Sequence, residues 1–178
     1  PAEIPVTAKM RLGFDDPSQC LANAEAISAA NANWVTIHCR TKTDGYKPPA
    51  YWEWIPKIKE RVKIPVIANG EIWTPQDFER CLEATQCDRF MIGRGLVANP
   101  FLAKQIKQNL AQTEMTVPAW NEIAGLLPGF FNACSLDKSP FFAQARTKQW
   151  LKALSLRNEP AKEIFENLLP EFRKKKKE

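Results

Sequence analysis

The chain has 178 residues, 44% of them hydrophobic and 25% charged, and a net charge of +5, which is an ordinary composition for a globular protein with a buried core. No apolar run approaches the roughly 18 residues of a membrane span, and no signal-peptide pattern opens the chain, so a membrane-embedded or secreted protein is not expected. A single histidine and five cysteines without a close CxxC pair argue against a metal site and a disulfide framework, and they indicate a reducing cytoplasm.

Segments typical of strands and of helices alternate through the first hundred residues. Apolar and β-branched runs predict four strands, and amphipathic or capped segments predict three helices between them. The predicted strands are residues 5–12, 34–40, 64–70 and 89–95, and the predicted helices are residues 17–31, 52–62 and 74–85. Asp16 is expected to cap the first helix and Thr74 the third, with Pro75 at the first position of the third helix.

This alternation indicates a parallel sheet with crossover helices, which is found in the open doubly wound sheet and in the closed (β/α)8 barrel. A dinucleotide-binding sheet normally has a glycine-rich turn after its first strand, whereas "KMRLGFDD" contains one glycine. Polar residues at the carboxyl ends of the predicted strands favour the barrel, because its catalytic face lies there. These residues are Lys9, Arg11, His38, Arg40, Asn69, Glu71 and Arg94. Because four units cannot close eight strands, we expect the second half of a TIM (β/α)8 barrel.

Only helical patterns follow from about residue 98. The predicted helices are residues 99–110, 117–134, 139–155 and 158–172, with start signals at Asn99–Pro100 and Ser139–Pro140. We therefore predict an α/β half barrel over residues 1–102 and a small all-α helical bundle over residues 103–178.

The net charge lies entirely in the predicted helical bundle, because residues 1–102 contain equal numbers of basic and acidic side chains. Part of the excess lies in the run Arg173–Lys177. A basic helical domain favours nucleic acid as the partner. For the terminal run, a solvated tail without any partner is the alternative.

Two strand ends are suited to binding an anion. "ANGE" (68–71) and "GRG" (93–95) contain glycines that let the backbone approach an anion closely. Arg94 adds a charged donor that can bind two oxygens at once. Since a phosphate commonly binds after the last two strands of a barrel, these segments predict a phosphate site.

Four motifs in this order and spacing resemble the tRNA-dihydrouridine synthases: "VTAKMRLGFD", "VTIHCRTKTDGY", "IPVIANGEIW" and "MIGRGLVANP". The later segment "ARTKQWLKAL" resembles the bacterial C-type branch, so the likeness covers nearly the whole chain as a carboxyl-terminal portion. The resemblance implies an FMN enzyme, reduced by NADPH, that passes hydride to C6 of a tRNA uridine while a cysteine acid protonates C5. The branch points to the D-loop, with its position 16 as the candidate, and to a helical domain that helps to hold tRNA.

The resemblance also implies roles for individual residues. Lys9 matches the lysine that contacts the flavin, and His38 matches the histidine near the flavin and the target base. The residues implied for binding FMN are Lys9, His38, Asn69, Gly70, Glu71, Gly93 and Arg94. The candidate tRNA contacts are Arg40, Arg146, Lys148 and Lys152. The last three lie at helical spacing and could form a phosphate-binding patch or an ordinary solvated face.

None of the five cysteines lies in a motif like the family's catalytic loop, which belongs to the first half of the barrel. Cys39 is expected to point away from the barrel interior if His38 points inward. We therefore expect an inactive portion that belongs to a longer polypeptide or associates through the exposed edges of its half sheet. Two alternatives stay open: another FMN-dependent barrel oxidoreductase, such as a relative of old yellow enzyme or dihydroorotate dehydrogenase, and a non-catalytic tRNA-binding module.

Overall fold

The computed structural model describes residues 4–136 and 138–174, with side chains described through residue 168. The chain divides into two compact units, and the division lies between Gly93 and Arg94. Over the described residues, no helix is both long enough and apolar enough to cross a bilayer.

The first unit is a parallel sheet with intervening helices. Its strands are β1 (Ala8–Arg11), β2 (Val35–His38), β3 (Val66–Asn69) and β4 (Phe90–Met91), and they pair in the order β1-β2-β3-β4. Its helices are α1 (Cys20–Ala29), α2 (Trp54–Lys59) and α3 (Pro75–Thr85). The predicted α/β class and parallel pairing are confirmed, and the arrangement is that expected of part of a TIM barrel.

The core of the first unit follows from the apolar pattern of the strands. All four residues of β2 are buried, as expected for a strand covered on both faces. Ile55 and Ile58 on α2 and Phe78 on α3 are also buried. Removing each such side chain from water contributes about 1.5–3 kcal/mol, so the helices are held on the sheet mainly by apolar burial.

Helix starts in the first unit follow local capping chemistry. The hydroxyl of Thr74 accepts a hydrogen bond from Asp77 N at 3.1 Å, and the Asp77 carboxylate accepts one from Thr74 N at 2.9 Å. With Pro75 at the first position, the predicted start of α3 is confirmed. The predicted Asp16 cap is wrong, because Asp16 Oδ1 accepts a bond from Ser18 N within a turn and α1 begins only at Cys20.

Over its described residues, every secondary-structure element of the second unit is a helix. They are α4 (Arg94–Ala98), α5 (Leu102–Leu110), α6 (Trp120–Ala124), α7 (Leu126–Ser135), α8 (Pro140–Leu154) and α9 (Glu159–Lys174). A buried cluster of Ile123, Leu151, Leu154 and Ala161 joins α6, α8 and α9. The Ser139 hydroxyl accepts a bond from Phe142 N at 3.3 Å, as predicted for the start of α8.

Several boundaries in the second unit differ from the prediction. Asn99 Oδ1 accepts a bond from Phe101 N at 3.1 Å, so Asn99 stabilises the turn between α4 and α5, and α5 starts at Leu102. The predicted helix over residues 117–134 is two helices that meet at Gly125. The predicted basic run Arg173–Lys177 lies outside the described side chains.

Candidate functional site

Polar residues from three strands form a row at the carboxyl edge of the sheet. Arg11, His38, Asn69 and Met91 are successive register partners across β1 to β4. Register partners in parallel strands lie on the same face of the sheet, about 4.8 Å apart. Three of the four therefore place side chains with hydrogen-bonding atoms side by side where the strands end.

Two cations lie on the β1 side of this row. Lys9 is exposed, and partial burial of its ammonium, followed by the nearby Arg11 charge, lowers the pKa of Lys9 below its usual value. Arg11 donates to the carbonyls of Thr41 at 2.6 Å and Gly45 at 3.0 Å, so its direction is set by the chain after β2. Because the two charges repel, an anion bound between them would lower the electrostatic energy.

His38 is a buried residue that lies near an exposed tyrosine. Its side chain is only 7% exposed, and its ring centroid lies 6.1 Å from that of Tyr46. The Tyr46 ring is 62% exposed and lies 5.4 Å from the Arg11 guanidinium. The sequence analysis assigned Tyr46 no role. Its position between Gly45 and a lysine in a polar loop could have indicated an exposed aromatic residue near the strand ends.

The segment after β3 has an unusual backbone. Gly70 has φ +131° and Glu71 has φ +59°, both in the region that side chains disfavour. A Cβ on Gly70 would lie 3.3 Å from Ala50 Cβ and 3.5 Å from His38 Cδ2. Trp52 Nε1 donates to the Gly70 carbonyl at 3.0 Å. Glycine at position 70 is therefore required both by conformation and by the close approach of its neighbours.

Arg40 is placed differently from its predicted tRNA contact. Its side chain is completely buried, and Nε donates to the carbonyls of Lys47 at 2.7 Å and Pro49 at 3.1 Å. Its guanidinium also pairs with the Glu71 carboxylate. The side chain therefore presents no exposed surface to a binding partner in this structure.

Cys39, next to His38, is also buried. Its thiol donates to the Ile37 carbonyl at 3.7 Å. Burial raises the pKa of Cys39 above its usual value, with the neighbouring Cys81 and Cys87 thiols adding to the effect after burial. A buried, protonated thiol without access to solvent is poorly placed to exchange protons with a substrate.

Gly93 and Arg94 follow β4 and are both exposed. A Cβ on Gly93 would meet no atom within 4 Å, so the packing of the described residues does not require glycine there. Arg94 is the first residue of α4 in the second unit. At this pair the structure shows that a helix begins. The described residues show no other feature there that favours anion binding.

On α8 the predicted basic patch is partly exposed. Arg146 and Lys152 are exposed, and Lys148 is half-buried. Arg146 borders an open groove of about 500 Å³, where Trp150 Nε1 donates to the Val97 carbonyl at 2.9 Å. The groove is lined by Leu96, Val97, Pro100, Phe130, Arg146, Gln149 and Trp150.

The edge of the sheet combines an exposed cation with a turn of positive φ after β3. The Gly70 backbone packs closely against Ala50 and His38, and Lys9 supplies an exposed cation on the same sheet. Over the described residues, no group of three His, Cys, Asp or Glu side chains could hold a metal ion.

Known proteins resemble this chain along nearly its whole length. A sequence model of the family described as Dihydrouridine synthase (Dus) matches residues 2–168. A tRNA-dihydrouridine(16) synthase of Pseudomonas syringae pv. tomato is 46% identical over 168 residues, which are 94% of this chain and 53% of that protein. Those of Shewanella oneidensis and Neisseria meningitidis serogroup A are 44% and 41% identical, over 94% of this chain and 52% and 51% of their own lengths. The chain thus spans about half the length of the curated relatives that it matches.

Proposed function

The chain belongs to the dihydrouridine synthase family, and we propose that it forms the carboxyl-terminal part of a tRNA-dihydrouridine synthase. In this proposal residues 1–102 are the second half of a TIM barrel and residues 103–178 are a helical domain that holds tRNA. The observation that carries it is the row of Arg11, His38 and Asn69 across three parallel strand ends. The similar proteins of Pseudomonas syringae and Shewanella oneidensis are tRNA-dihydrouridine(16) synthases, which supports position 16 of tRNA as the target.

The proposed cofactor is FMN, with NADPH as the reductant. When bound, FMN would supply the hydride that reduces the uracil C5–C6 double bond. The residues proposed to hold it are Lys9, His38, Asn69, Gly70, Glu71, Gly93 and Arg94. The strongest support lies at Gly70, where the positive φ and the absence of a Cβ bring the backbone close to His38.

Lys9 and His38 would have different tasks. The Lys9 ammonium, repelled by Arg11, would stabilise negative charge on a bound ligand. His38 is almost completely buried and its ring lies 6.1 Å from that of Tyr46, so it would orient the ligand and the target base from a fixed position.

We assign the proton-donating acid to none of the five cysteines. Cys20, Cys39, Cys81 and Cys87 are buried, and Cys134 lies on α7 in the helical unit. We therefore propose that this chain by itself does not reduce uridine, and that the acid comes from outside it. Exposed edges at β1 and β4 offer backbone groups for association with a second chain.

The flavin proposal is tested by the visible absorption spectrum of the purified chain after FMN is added and the excess is removed. We expect bound flavin in the wild type and weaker retention in Lys9→Met. Lys63→Met is the matched control, because Lys63 is exposed and precedes β3 at the other end of the strand. A wild-type chain that retains no flavin would contradict FMN binding by this portion and would favour the non-catalytic tRNA-binding module.

Binding of tRNA is tested by its dependence on salt. The patch of Arg146, Lys148 and Lys152 should contact phosphates, so log K should fall linearly with log salt concentration. Replacing Lys152 with glutamine should weaken binding evenly across tRNA sequences and reduce the salt slope by about 1. The control is Lys57→Gln, a lysine that lies over the Trp54 ring in the first unit. Equal slopes for both variants and the wild type would exclude Lys152 from the interface.

A further inference from the structure

The buried Arg40 side chain connects two segments that follow different strands. Its Nε donates to the Lys47 and Pro49 carbonyls of the loop between β2 and α2, here called the 41–50 loop. Its terminal nitrogen pairs with Glu71, immediately after β3. Burying a guanidinium is costly unless it is well paired, and apolar residues would serve stability as well. The arrangement therefore calls for an explanation other than stability.

The Glu71 carboxylate is engaged within the protein through both oxygens. Oε2 pairs with Arg40, and Oε1 accepts a hydrogen bond from Trp73 Nε1 at 2.8 Å. The backbone of the Gly70–Glu71 turn has positive φ at both residues, a conformation that costs roughly 1 kcal/mol or more at Glu71 and needs support from its surroundings.

The same turn also contacts Ala50, at the end of the 41–50 loop, and Trp52, two residues beyond it. Trp52 Nε1 donates to the Gly70 carbonyl at 3.0 Å, and Ala50 Cβ occupies the space beside Gly70. The turn is thus held from the loop side by the Trp52 indole and from the strand side by Arg40. Movement of the loop would move both the turn and Tyr46, which lies in the loop beside His38.

We infer that Arg40 is a positioning residue: through Glu71 and the Lys47 and Pro49 carbonyls, it fixes the Gly70–Glu71 turn and the 41–50 loop against each other. The contacts of Arg40 do not depend on the proposed flavin site. Only the effect on ligand binding rests on it: a ligand at the turn would meet a backbone that is already fixed. Arginine suits this position because its Nε and a terminal nitrogen bind the two carbonyls and the carboxylate at once, whereas lysine has a single nitrogen.

The first test uses indole signals and requires no ligand. The chain contains six tryptophans, and the Nε1–H groups of Trp52 and Trp73 both bond to the Gly70–Glu71 turn. In ¹H–¹⁵N spectra, assigned with Trp52→Phe and Trp73→Phe, both signals should shift and exchange faster with solvent in Arg40→Met. Arg40→Lys should not restore them. Arg61→Met is the matched control, because Arg61 forms an exposed ion pair with Glu25 at 3.3 Å.

A second variant covers the case in which Arg40→Met does not fold. Glu71→Gln keeps the shape of the side chain and removes the charge that Arg40 binds. It should shift Trp73 directly and should also increase amide exchange in the 41–50 loop, which Glu71 reaches through Arg40. A folded Glu71→Gln chain with unchanged exchange in the loop would overturn the inference, as would unchanged indole signals in Arg40→Met.

FMN affinity provides the functional readout. Arg40→Met and Glu71→Gln should each weaken FMN binding by about tenfold or more, since small displacements of a binding backbone have effects of that size. The double variant should be no weaker than the single variants, because both act through one pair. Additive losses would overturn the coupling. If the wild type binds no FMN, the proposed flavin site fails, and the indole comparison alone decides the role of Arg40.

Discussion

Asn69 Nδ2 donates a hydrogen bond of 2.7 Å to the carbonyl oxygen of Met91, its register partner on β4. Strand β4 contains only Phe90 and Met91, so few backbone bonds join it to β3. The side-chain bond therefore adds to the short backbone pairing between β3 and β4. It also aligns Asn69 for its proposed part in the flavin site.

Replacing Asn69 with alanine should lower the free energy of unfolding by about 1 kcal/mol, because the Met91 carbonyl loses its side-chain donor. Urea unfolding followed by circular dichroism measures this as a lower midpoint with an unchanged slope. Asn23→Ala, at an exposed position in α1, is the control and should not lower the midpoint. Equal midpoints for Asn69→Ala and the wild type would show that the bond contributes nothing to stability.

The capping box of α3 makes a second prediction. Thr74→Ala removes the acceptor for Asp77 N and should cost about 1 kcal/mol of stability, within the range of 0.5–2 kcal/mol typical of N-caps. Gln76→Ala, exposed in the first turn of the same helix, should have little effect. The comparison is again the urea midpoint, and a larger loss for Gln76→Ala would contradict the assigned cap.

Thiol labelling distinguishes the cysteines by their burial. Cys20, Cys39, Cys81 and Cys87 are buried, and burial raises the pKa of each of these thiols, whereas Cys134 is half-buried. We expect Cys134 to react first with a disulfide reagent at pH 8, since reaction requires an accessible thiolate. Cys134→Ser should remove the fast phase, and all remaining thiols should react after denaturation. A fast phase that persists in Cys134→Ser would contradict the burial of the other thiols.

The same thiols predict a loss of stability at alkaline pH. Burial raises the pKa of Cys81 to about 12 from an ordinary value of 9.0. Above pH 9 the unfolded chain therefore loses this proton while the folded chain keeps it. Since the unfolded state then binds fewer protons, the free energy of unfolding falls as pH rises from about 9 to 12.

Each such thiol should contribute up to about 1.4 kcal/mol per pH unit to this slope. The measurement is urea unfolding at pH 8, 9 and 10, compared between the wild type, Cys81→Ala and the non-titrating control Asn23→Ala. Cys81→Ala should show a shallower slope above pH 9, and Asn23→Ala should have the slope of the wild type. The prediction fails if Cys81→Ala and the wild type lose stability in parallel.

The α/β alternation could be predicted from the sequence because the period of apolar residues depends on local geometry alone. Thr74 with Pro75, and Ser139 with Pro140, marked helix starts correctly, since the capping atoms lie within three residues of one another. Asp16 failed because a turn with Ser18 competes for the same carboxylate. Helix α4 was not predicted, since five residues carry too little periodic signal.

The sequence alone determined the order of polar residues at the strand ends. From that order followed both the family and the row of Arg11, His38 and Asn69. This was possible because parallel strands bring their carboxyl ends to one edge whatever the loops do. Only the tertiary structure decided the role of Arg40. Its bonds to Lys47, Pro49 and Glu71 join segments up to 31 residues apart, and burial depends on what packs there, which no local pattern records.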